Sequence, residues 1–590
     1  MKISNKVVFL VAALSAAFTA DAQVNVYLQT NLVSSTAGAA AVTDPNLVDP
    51  WGISFSASSP FWVSDRLKGV STLYNGQGAI NATVVTIPPG SAAPAGALGQ
   101  PTGQVKPTST TAFLLANGKV ASFIFDTDDG TIAAWNSGTV ATTMVDNSAS
   151  KAIYKGLAIG TSFFGGPAIY AANFHSGKIE MYNSLWANIT PAGAFTDPAV
   201  PAGYAPFNIW NLNNRLYVTW AKQDANQFLD VAGAGNGYVS IFDQDGSLIS
   251  SLIAGGPLNS PWGVAIAPSG WGAFGGDVLV GNFGDGRINA FDPASGIFRG
   301  TLQDVNGNPI AISGLWAIIF GNGGSGGDTK TLYFTAGVPD GSTTPRGILG
   351  SIAPPAAITS IVNAASELAG SVAPGEIVRI NGQTVGSSPA VAATIPPATA
   401  LATTLGGTSV KVNGTPAPIM YQNGGQTNIQ IPYEVAGSAM ASVVLTQGTQ
   451  TTAAFALPVA ATVPGIFTID FSGTGQAVAL NADGTVNSSS NPAARGSMIW
   501  LFATGEGVTS PADTDGATEV NMSYVPLAPV SVSIGGTGAI AGPAGSTPKD
   551  VSGVLEMQVT VPSSIPAGSA AVSLTSGGVT TTQATVVWVK

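Results

Sequence analysis

Pro50-Trp51-Gly52-Ile53, then Phe61-Trp62-Val63-Ser64-Asp65, then Val70-Ser71-Thr72-Leu73-Tyr74-Asn75 is the stretch that decides the fold. It reads as an apolar opening, a strand closing on an acid, a turn at Gly69, and a second strand closing on an aromatic and an amide. Short runs rich in β-branched and aromatic residues, bounded by Gly, Asn and Asp, are strand signals. The unit recurs. Ser122-Phe123-Ile124-Phe125-Asp126 precedes Gly130-Thr131-Ile132-Ala133-Ala134-Trp135-Asn136. Ile169-Tyr170-Ala171-Ala172-Asn173 precedes Gly177-Lys178-Ile179-Glu180-Met181-Tyr182-Asn183. Leu216-Tyr217-Val218-Thr219-Trp220 is followed, after a long insertion, by Gly237-Tyr238-Val239-Ser240-Ile241-Phe242-Asp243. Pro261-Trp262-Gly263-Val264 restates the opening before Val278-Leu279-Val280-Gly281-Asn282 and Gly286-Arg287-Ile288-Asn289-Ala290-Phe291-Asp292. Leu315-Trp316-Ala317-Ile318, Leu332-Tyr333-Phe334-Thr335 and Gly347-Ile348-Leu349-Gly350-Ser351-Ile352 make the last unit.

Six such units at roughly 40–60 residues fit the blades of a β-propeller, which use about four strands each. A lone blade has two apolar faces and buries both only by stacking on neighbours, so a closed ring satisfies every blade. The segment 24–33, Val-Asn-Val-Tyr-Leu-Gln-Thr-Asn-Leu-Val, reads as a strand outside any complete blade, while the sixth unit lacks an outer strand before Pro354-Pro355. The expectation is that 24–33 completes the blade of Leu332-Tyr333-Phe334-Thr335 and locks the ring.

The composition agrees. Of 590 residues 9% are charged, against about 25% in ordinary soluble domains, and 74 are Gly and 39 Pro. This is neither disordered nor helical composition. A net charge of −11 argues against a nucleic-acid groove. Zero Cys excludes disulfides, thiol catalysis and thiolate metal sites, and a single His excludes a multi-His centre. The N-terminus has Lys2 and Lys6, an apolar run from Val7 to Thr19, and Ala20-Asp21-Ala22 as an A-x-A site. It reads as a signal peptide, 1–22, with Gln23 as mature N-terminus, since spanning a bilayer takes about 20 apolar residues. No later segment reads as a membrane span. The expected protein is exported and extracellular, cell-surface or periplasmic, and a Cys-free exported chain points to a bacterial source.

Beyond the propeller, 23–354, charges thin further, and the region carries its own duplication. Pro374-Gly375-Glu376-Ile377-Val378-Arg379-Ile380 aligns with Arg495-Gly496-Ser497-Met498-Ile499-Trp500-Leu501, and Thr408-Ser409-Val410-Lys411-Val412 with Val530-Ser531-Val532-Ser533-Ile534. Asn428-Ile429-Gln430-Ile431-Pro432 aligns with the run ending at Pro562, and Ser442-Val443-Val444-Leu445-Thr446 with Ala571-Val572-Ser573-Leu574-Thr575. Two immunoglobulin-like β-sandwiches, 355–462 and 463–590, are expected.

The Pro-x-Gly-Ile opening, the strand ending in Asp or Asn, and Gly-x-Ile-x-x-Phe/Tyr-Asn/Asp resemble NHL-type propeller repeats. Over 25–354, Tyr27-Leu28-Gln29-Thr30-Asn31-Leu32-Val33 and Thr43-Asp44-Pro45-Asn46-Leu47-Val48, with the opening stretch above, look like an uncharacterised family of exported bacterial propeller proteins. Ile361-Val362-Asn363-Ala364-Ala365, Pro464-Gly465-Ile466-Phe467, Leu480-Asn481-Ala482-Asp483-Gly484 and Asn491-Pro492-Ala493-Ala494-Arg495-Gly496 resemble a duplicated C-terminal region of exported acidobacterial proteins. That region stands behind many different front domains, which implies an accessory or surface module.

Asp65, Asp126, Asn173 and Asn282 sit at equivalent strand ends, expected where the blades' inner strands close on one mouth of the channel. Oxygen ligands of this kind suit Ca²⁺ or another hard cation, and related propeller lactonases and esterases imply a metal there. The alternative is that these side chains cap the turn to the next strand. His175, in Asn173-Phe174-His175-Ser176-Gly177, is the only available imidazole for a Ser-His-Asp triad, and no G-x-S-x-G elbow accompanies it. Asp126-Thr127-Asp128-Asp129-Gly130 is part of a calcium-loop pattern without its Glu and reads as a solvated turn. The Gly-rich 321–328 segment lies between strands and reads as a flexible hairpin loop. Trp51, Trp210, Trp220, Trp262 and Trp316 either ring the channel, where they stack on sugars, or pack between blades. Two functions follow. One is an exported non-catalytic binding or surface protein, its propeller recognising an extracellular protein or glycan and its sandwiches serving as spacer or attachment. The other is a metal-assisted hydrolase or lactonase acting at the channel mouth.

Overall fold

The computed structural model describes residues 25–338, 346–387, 390–394, 400–448, 450–518, 524–545 and 551–590. The expected signal peptide, 1–22, lies outside these. Contacts divide the described chain into two compact units, 25–354 and 355–590. Both are built of strands.

The first unit is a six-bladed propeller. Blade one runs Pro50–Ser54, Phe61–Asp65, Val70–Tyr74, Ile80–Thr86, each strand antiparallel to the last. Blade two is Pro101–Val105, Phe123–Thr127, Thr131–Trp135, Thr142–Asp146. Blade three has three strands, Tyr154–Ser162, Gly166–Asn173 and Lys178–Asn183. Blade four is Tyr204–Leu212, Arg215–Lys222, Tyr238–Phe242, Leu248–Ala254, and blade five Pro261–Ile266, Val278–Asn282, Ile288–Phe291, Phe298–Thr301. Blade six is Leu315–Phe320, Leu332–Val338 and Arg346–Ala353, closed on its outer edge by the N-terminal strand Leu28–Ser34. The orphan N-terminal strand thus lies where the sequence puts it.

The sequence dictates this stacking residue by residue. Phe61–Asp65 is buried throughout, because each face of the blade meets another blade. Phe61 and Val63 point to blade six, with the Phe61 ring 4.6 Å from Tyr333. Trp62, between them, points the other way and stacks on Phe123 of blade two at 4.0 Å.

All six inner strands break register near their second or third residue, as between Pro50/Ile53, Pro101/Gln104 and Pro261/Gly263. The bulge brings neighbouring inner strands close around the axis. Gly52 is required there, since a Cβ on it would collide with the Thr102 carbonyl of the next blade. Gly103 stands in the same relation to Leu157 N.

Trp51, Trp262 and Trp316 occupy equivalent positions of blades one, five and six and plug the axis. Trp51 and Trp316 stack at 3.4 Å, and Trp262 meets both edge-on at 6.2 and 5.9 Å. All are at most 4% exposed. Of the two roles open to these tryptophans, packing is the one they fill. Trp51→Ala is expected to cost about 3–5 kcal/mol, the range for emptying a buried aromatic site. Denaturant unfolding measures it, and a loss below about 1 kcal/mol contradicts the plug.

The second unit holds two sandwiches with one pairing scheme. In the first, Ile377–Gln383 lies between Ala357–Asn363 and Gln426–Gln430, and Thr408–Val412 pairs with Met440–Gln447, which pairs with Phe455–Pro458. In the second, Met498–Thr504 pairs with Gly465–Ile466 and with Leu555–Thr560, and Val530–Ile534 pairs with Gly568–Ser576, which pairs with Thr585–Val589. Beyond short edge strands, the copies differ in how their sheets connect. Thr537–Gly545 pairs with both Val530–Ile534 and Leu555–Thr560 and joins the sheets. The corresponding chain in the first copy splits into Thr415–Pro416 and Ile419–Asn423 around Pro418, which has no N–H for a ladder. Each sandwich has its own core, and a third cluster is shared between them, with Ala365, Ile377 and Met420 against Phe467, Phe502 and Val554.

Candidate functional site

Asp65, Asn173 and Asn282 end the second strand of their blades and Asp126 stands one residue before the end of its own, whereas the sequence places them at the ends of the inner strands. Asp65 is paired with Pro50, Asn173 with Tyr154 and Asn282 with Pro261, so they lie at the end where inner strands begin. The sequence reading did not see that the bulged inner strand precedes the motif strand.

At that end each residue has local partners. Asp65 is fully buried and accepts the Thr72 hydroxyl at 2.6 Å, while Oδ1 has no partner. Burial pushes its carboxyl well above the usual range, and Asp44 and Asp49 add to the effect. Asp126 Oδ1 accepts the Thr102 hydroxyl at 2.9 Å and the Gly103 N–H at 2.6 Å. Burial lifts Asp126 to about 7. Asn173 Oδ1 accepts the Ser176 N–H at 3.2 Å, a turn cap, and its amide donates to Glu180 at 2.7 Å. Asn282 donates to the Pro257 carbonyl and to Asp285. His175 is half-buried on the turn after Asn173, its ring 5.3 Å from Phe228 of the blade-four insertion. Among the described residues no three His, Asp or Glu are grouped to hold a metal ion.

The sequence reading missed a network beside these residues. Lys155 Nζ sits 2.7 Å from Asp128 Oδ1, Arg66 bridges Asp128 and Asp49 at 3.0 and 2.9 Å, and both cations lie over the Trp51 ring at 5.2 and 5.5 Å. Burial opposes ionisation of Asp128, yet Lys155 and Arg66 together hold its carboxyl below the usual range. The network ties blades one, two and three, and makes 126–130 a clamp rather than a solvated turn. The signal was present: Thr102-Gly103 and Lys155-Gly156 repeat Trp51-Gly52 with the Trp replaced.

On the far side of the Trp plug, where inner strands end, a cavity of about 360 Å³ opens on the axis. It is lined by residues of all six blades, among them Ser54, Gln104, Ile159, Asn208, Asn211, Trp262 and Ile319, with Asn213, Asn214 and Lys106 at the ends of their strands. Gln104 is fixed by donating to the Gly52 and Trp62 carbonyls at 2.9 and 2.6 Å, and Asn208 by donating to the Trp262 carbonyl at 3.0 Å. Ser54 Oγ, Gln104 Oε1 and the Trp210 indole N–H are buried without partners. The wall carries no carboxylate and no imidazole. Its size is that of a small-ligand site.

Set beside known proteins, the chain is 32% identical over 334 residues to "Uncharacterized protein R648" of Acanthamoeba polyphaga mimivirus, covering 54% of this chain and 78% of that one. The chain belongs to that protein's family. A second mimivirus relative, "Uncharacterized protein L690", is 31% identical over 299 residues, 48% of this chain and 76% of its own. No protein-family profile matches. Among solved structures, a streptogramin B lyase aligns with a TM-score of 0.32 at 12% identity, over 55% of this chain and 97% of its own. A glucose dehydrogenase aligns at 0.33 and 12%, over 55% and 99%. Likeness at this level bears on no question of chemistry.

Proposed function

We propose that the protein is an exported, non-catalytic binding protein whose propeller head takes an uncharged, hydroxyl-rich ligand, an oligosaccharide end, in the axial cavity. The cavity wall supports this reading: it offers fixed amides, the unpartnered Gln104 Oε1, Ser54 Oγ and Trp210 indole N–H, and no carboxylate or imidazole, its one charged side chain being Lys106, which donates to the Pro107 carbonyl. Amides and an indole N–H exchange hydrogen bonds with hydroxyls without selecting charge, and a site built to bond a hydroxyl rejects analogues that lack it. The hydrolase reading needs a positioned acid, base or metal-bound water within reach of substrate, and the cavity wall offers no carboxylate or imidazole, its one titratable side chain, Lys106, being engaged with the Pro107 carbonyl at 2.6 Å. On this reading residues 1–22 are the export signal, the source is bacterial, and the paired sandwiches are a spacer or attachment module.

Titration of the purified chain against neutral oligosaccharides, with sulfated ones as controls, tests this. The neutral ligands are expected to bind, and Trp210→Phe, which keeps the ring and loses the N–H, to weaken them about tenfold, the worth of one hydrogen bond. Binding confined to charged ligands, or release of cleaved product, overturns the reading.

A further inference from the structure

Two glutamates lie near each other beside the core shared by the sandwiches. Glu376 precedes the strand Ile377–Gln383 of the first sandwich, and Glu506 follows Met498–Thr504 of the second. The Ile377 N–H donates to Thr504 Oγ1 across the junction at 2.9 Å. Glu376 is 0% and Glu506 1% exposed. Glu376 Oε2 accepts the Ala373 N–H at 2.6 Å, its Oε1 has no partner, and neither oxygen of Glu506 has one. The charges acting on them are negative, Glu506 on Glu376 and Asp513 on Glu506. Nearby polar groups are the Tyr433 hydroxyl, which donates to Asp513 at 3.3 Å, the Ser552 hydroxyl beside it, the Asn363 side chain near Glu376, and the backbone N–H groups of Gly505 and Glu506 near the Glu506 carboxylate.

The sandwich fold does not require these acids. The second copy has Ser497 where the first has Glu376. Burying an unpaired carboxylate is expensive, so such groups are neutralised by a proton or paired with a cation. An all-oxygen donor set without thiolate or imidazole selects a hard cation.

We propose that Glu376 and Glu506 hold a divalent cation of the Ca²⁺ class at the junction and so couple the two sandwiches. Two carboxylates fall short of a cluster of three, so carbonyl, hydroxyl and water oxygens complete the shell. The low charge count places affinity in the weak range of extracellular modules, about 10⁻⁴–10⁻³ M.

The test is thermal melting and titration calorimetry of the full chain at pH 8 in CaCl₂ or in EDTA. Millimolar calcium is expected to raise the melting temperature by about 3 °C, with proton release on binding, since the carboxyls must ionise to ligate. Glu506→Gln and, independently, Glu376→Gln, both isosteric, are expected to abolish the rise and the proton release, while Asp65→Ala in the propeller leaves them. Equal melting in calcium and EDTA overturns the proposal. So does a calcium effect that survives both Gln variants, or one removed by Asp65→Ala. A melt that follows pH alone assigns the pair to protons and also overturns it.

Discussion

Kept metal-free with a chelator, the wild-type chain is expected to lose stability steadily between pH 5 and pH 8.5, and Glu506→Gln to lose much less. Burial foremost lifts Glu376 and Glu506 from the usual 4.5 to about 8. Below pH 4.5 each is neutral both folded and unfolded, and its stabilising share is fully present. From pH 4.5 to 8 the unfolded chain releases the proton and the folded chain keeps it, so rising pH favours unfolding. Above pH 8 both states are ionised and the loss is complete. At about 1.4 kcal/mol per pH unit, one such carboxyl costs roughly 4–5 kcal/mol across that window. That is a large share of the 5–15 kcal/mol that holds a typical domain. Asp126 and Glu367, each raised to about 7 with burial as the main cause, slope the same way. The difference between wild type and Glu506→Gln is therefore the informative quantity. Asp146 and Asp292 are held near 2, Asp146 because the hydrogen bonds from Ser148 and Ser91 together outweigh burial, the largest single effect on it, and Asp292 chiefly by hydrogen bonds from Ser295, so both act only at lower pH. A variant whose stability falls as steeply as wild type between pH 5 and 8.5 contradicts the buried, uncompensated state of Glu506.

The strand alternation that stacks Phe61 and Trp62 on opposite neighbours is a local property, and so was legible in the sequence. So was the unpaired N-terminal strand. The bulged inner strand was half legible: Trp51-Gly52 and Trp262-Gly263 stood out, whereas Thr102-Gly103 and Lys155-Gly156 keep only the glycine that the close approach demands. That substitution hid Gln104 and Lys155, and with them the cavity wall and the ionic clamp. Asp65 and its equivalents were visible as strand ends, but the strand they end follows from pairing, which residue identity does not encode. Glu376 and Glu506 are 130 positions apart and mean nothing until the two sandwiches share a core.

A chain beginning at Thr36 is expected to lose the folded propeller. Without Leu28–Ser34 the blade-six strand Arg346–Ala353, paired on both sides in the intact chain, becomes an open outer edge. The lost ladder runs from Leu28↔Ala353 to Ser34↔Ile348, and each backbone hydrogen bond contributes about 1 kcal/mol net. Ser35 adds its bonds to Gly347 in both directions, at 3.0 and 2.7 Å. Val33 is fully buried among Leu47, Trp51 and Leu349, and Tyr27 packs 4.5 Å from Trp271. Full burial of each such side chain contributes about 2 kcal/mol. Together these approach the whole stability of a domain of this kind, and the exposed edge also invites pairing with other chains. Circular dichroism and light scattering are expected to show an aggregating product with the propeller transition absent, whereas a chain beginning at Asn25 melts as a folded protein. Adding a peptide of residues 25–35 in trans restores the edge strand and is expected to recover soluble, cooperatively melting material. A chain beginning at Thr36 that melts within a few degrees of the one beginning at Asn25 shows instead that the ring closes without its N-terminal strand.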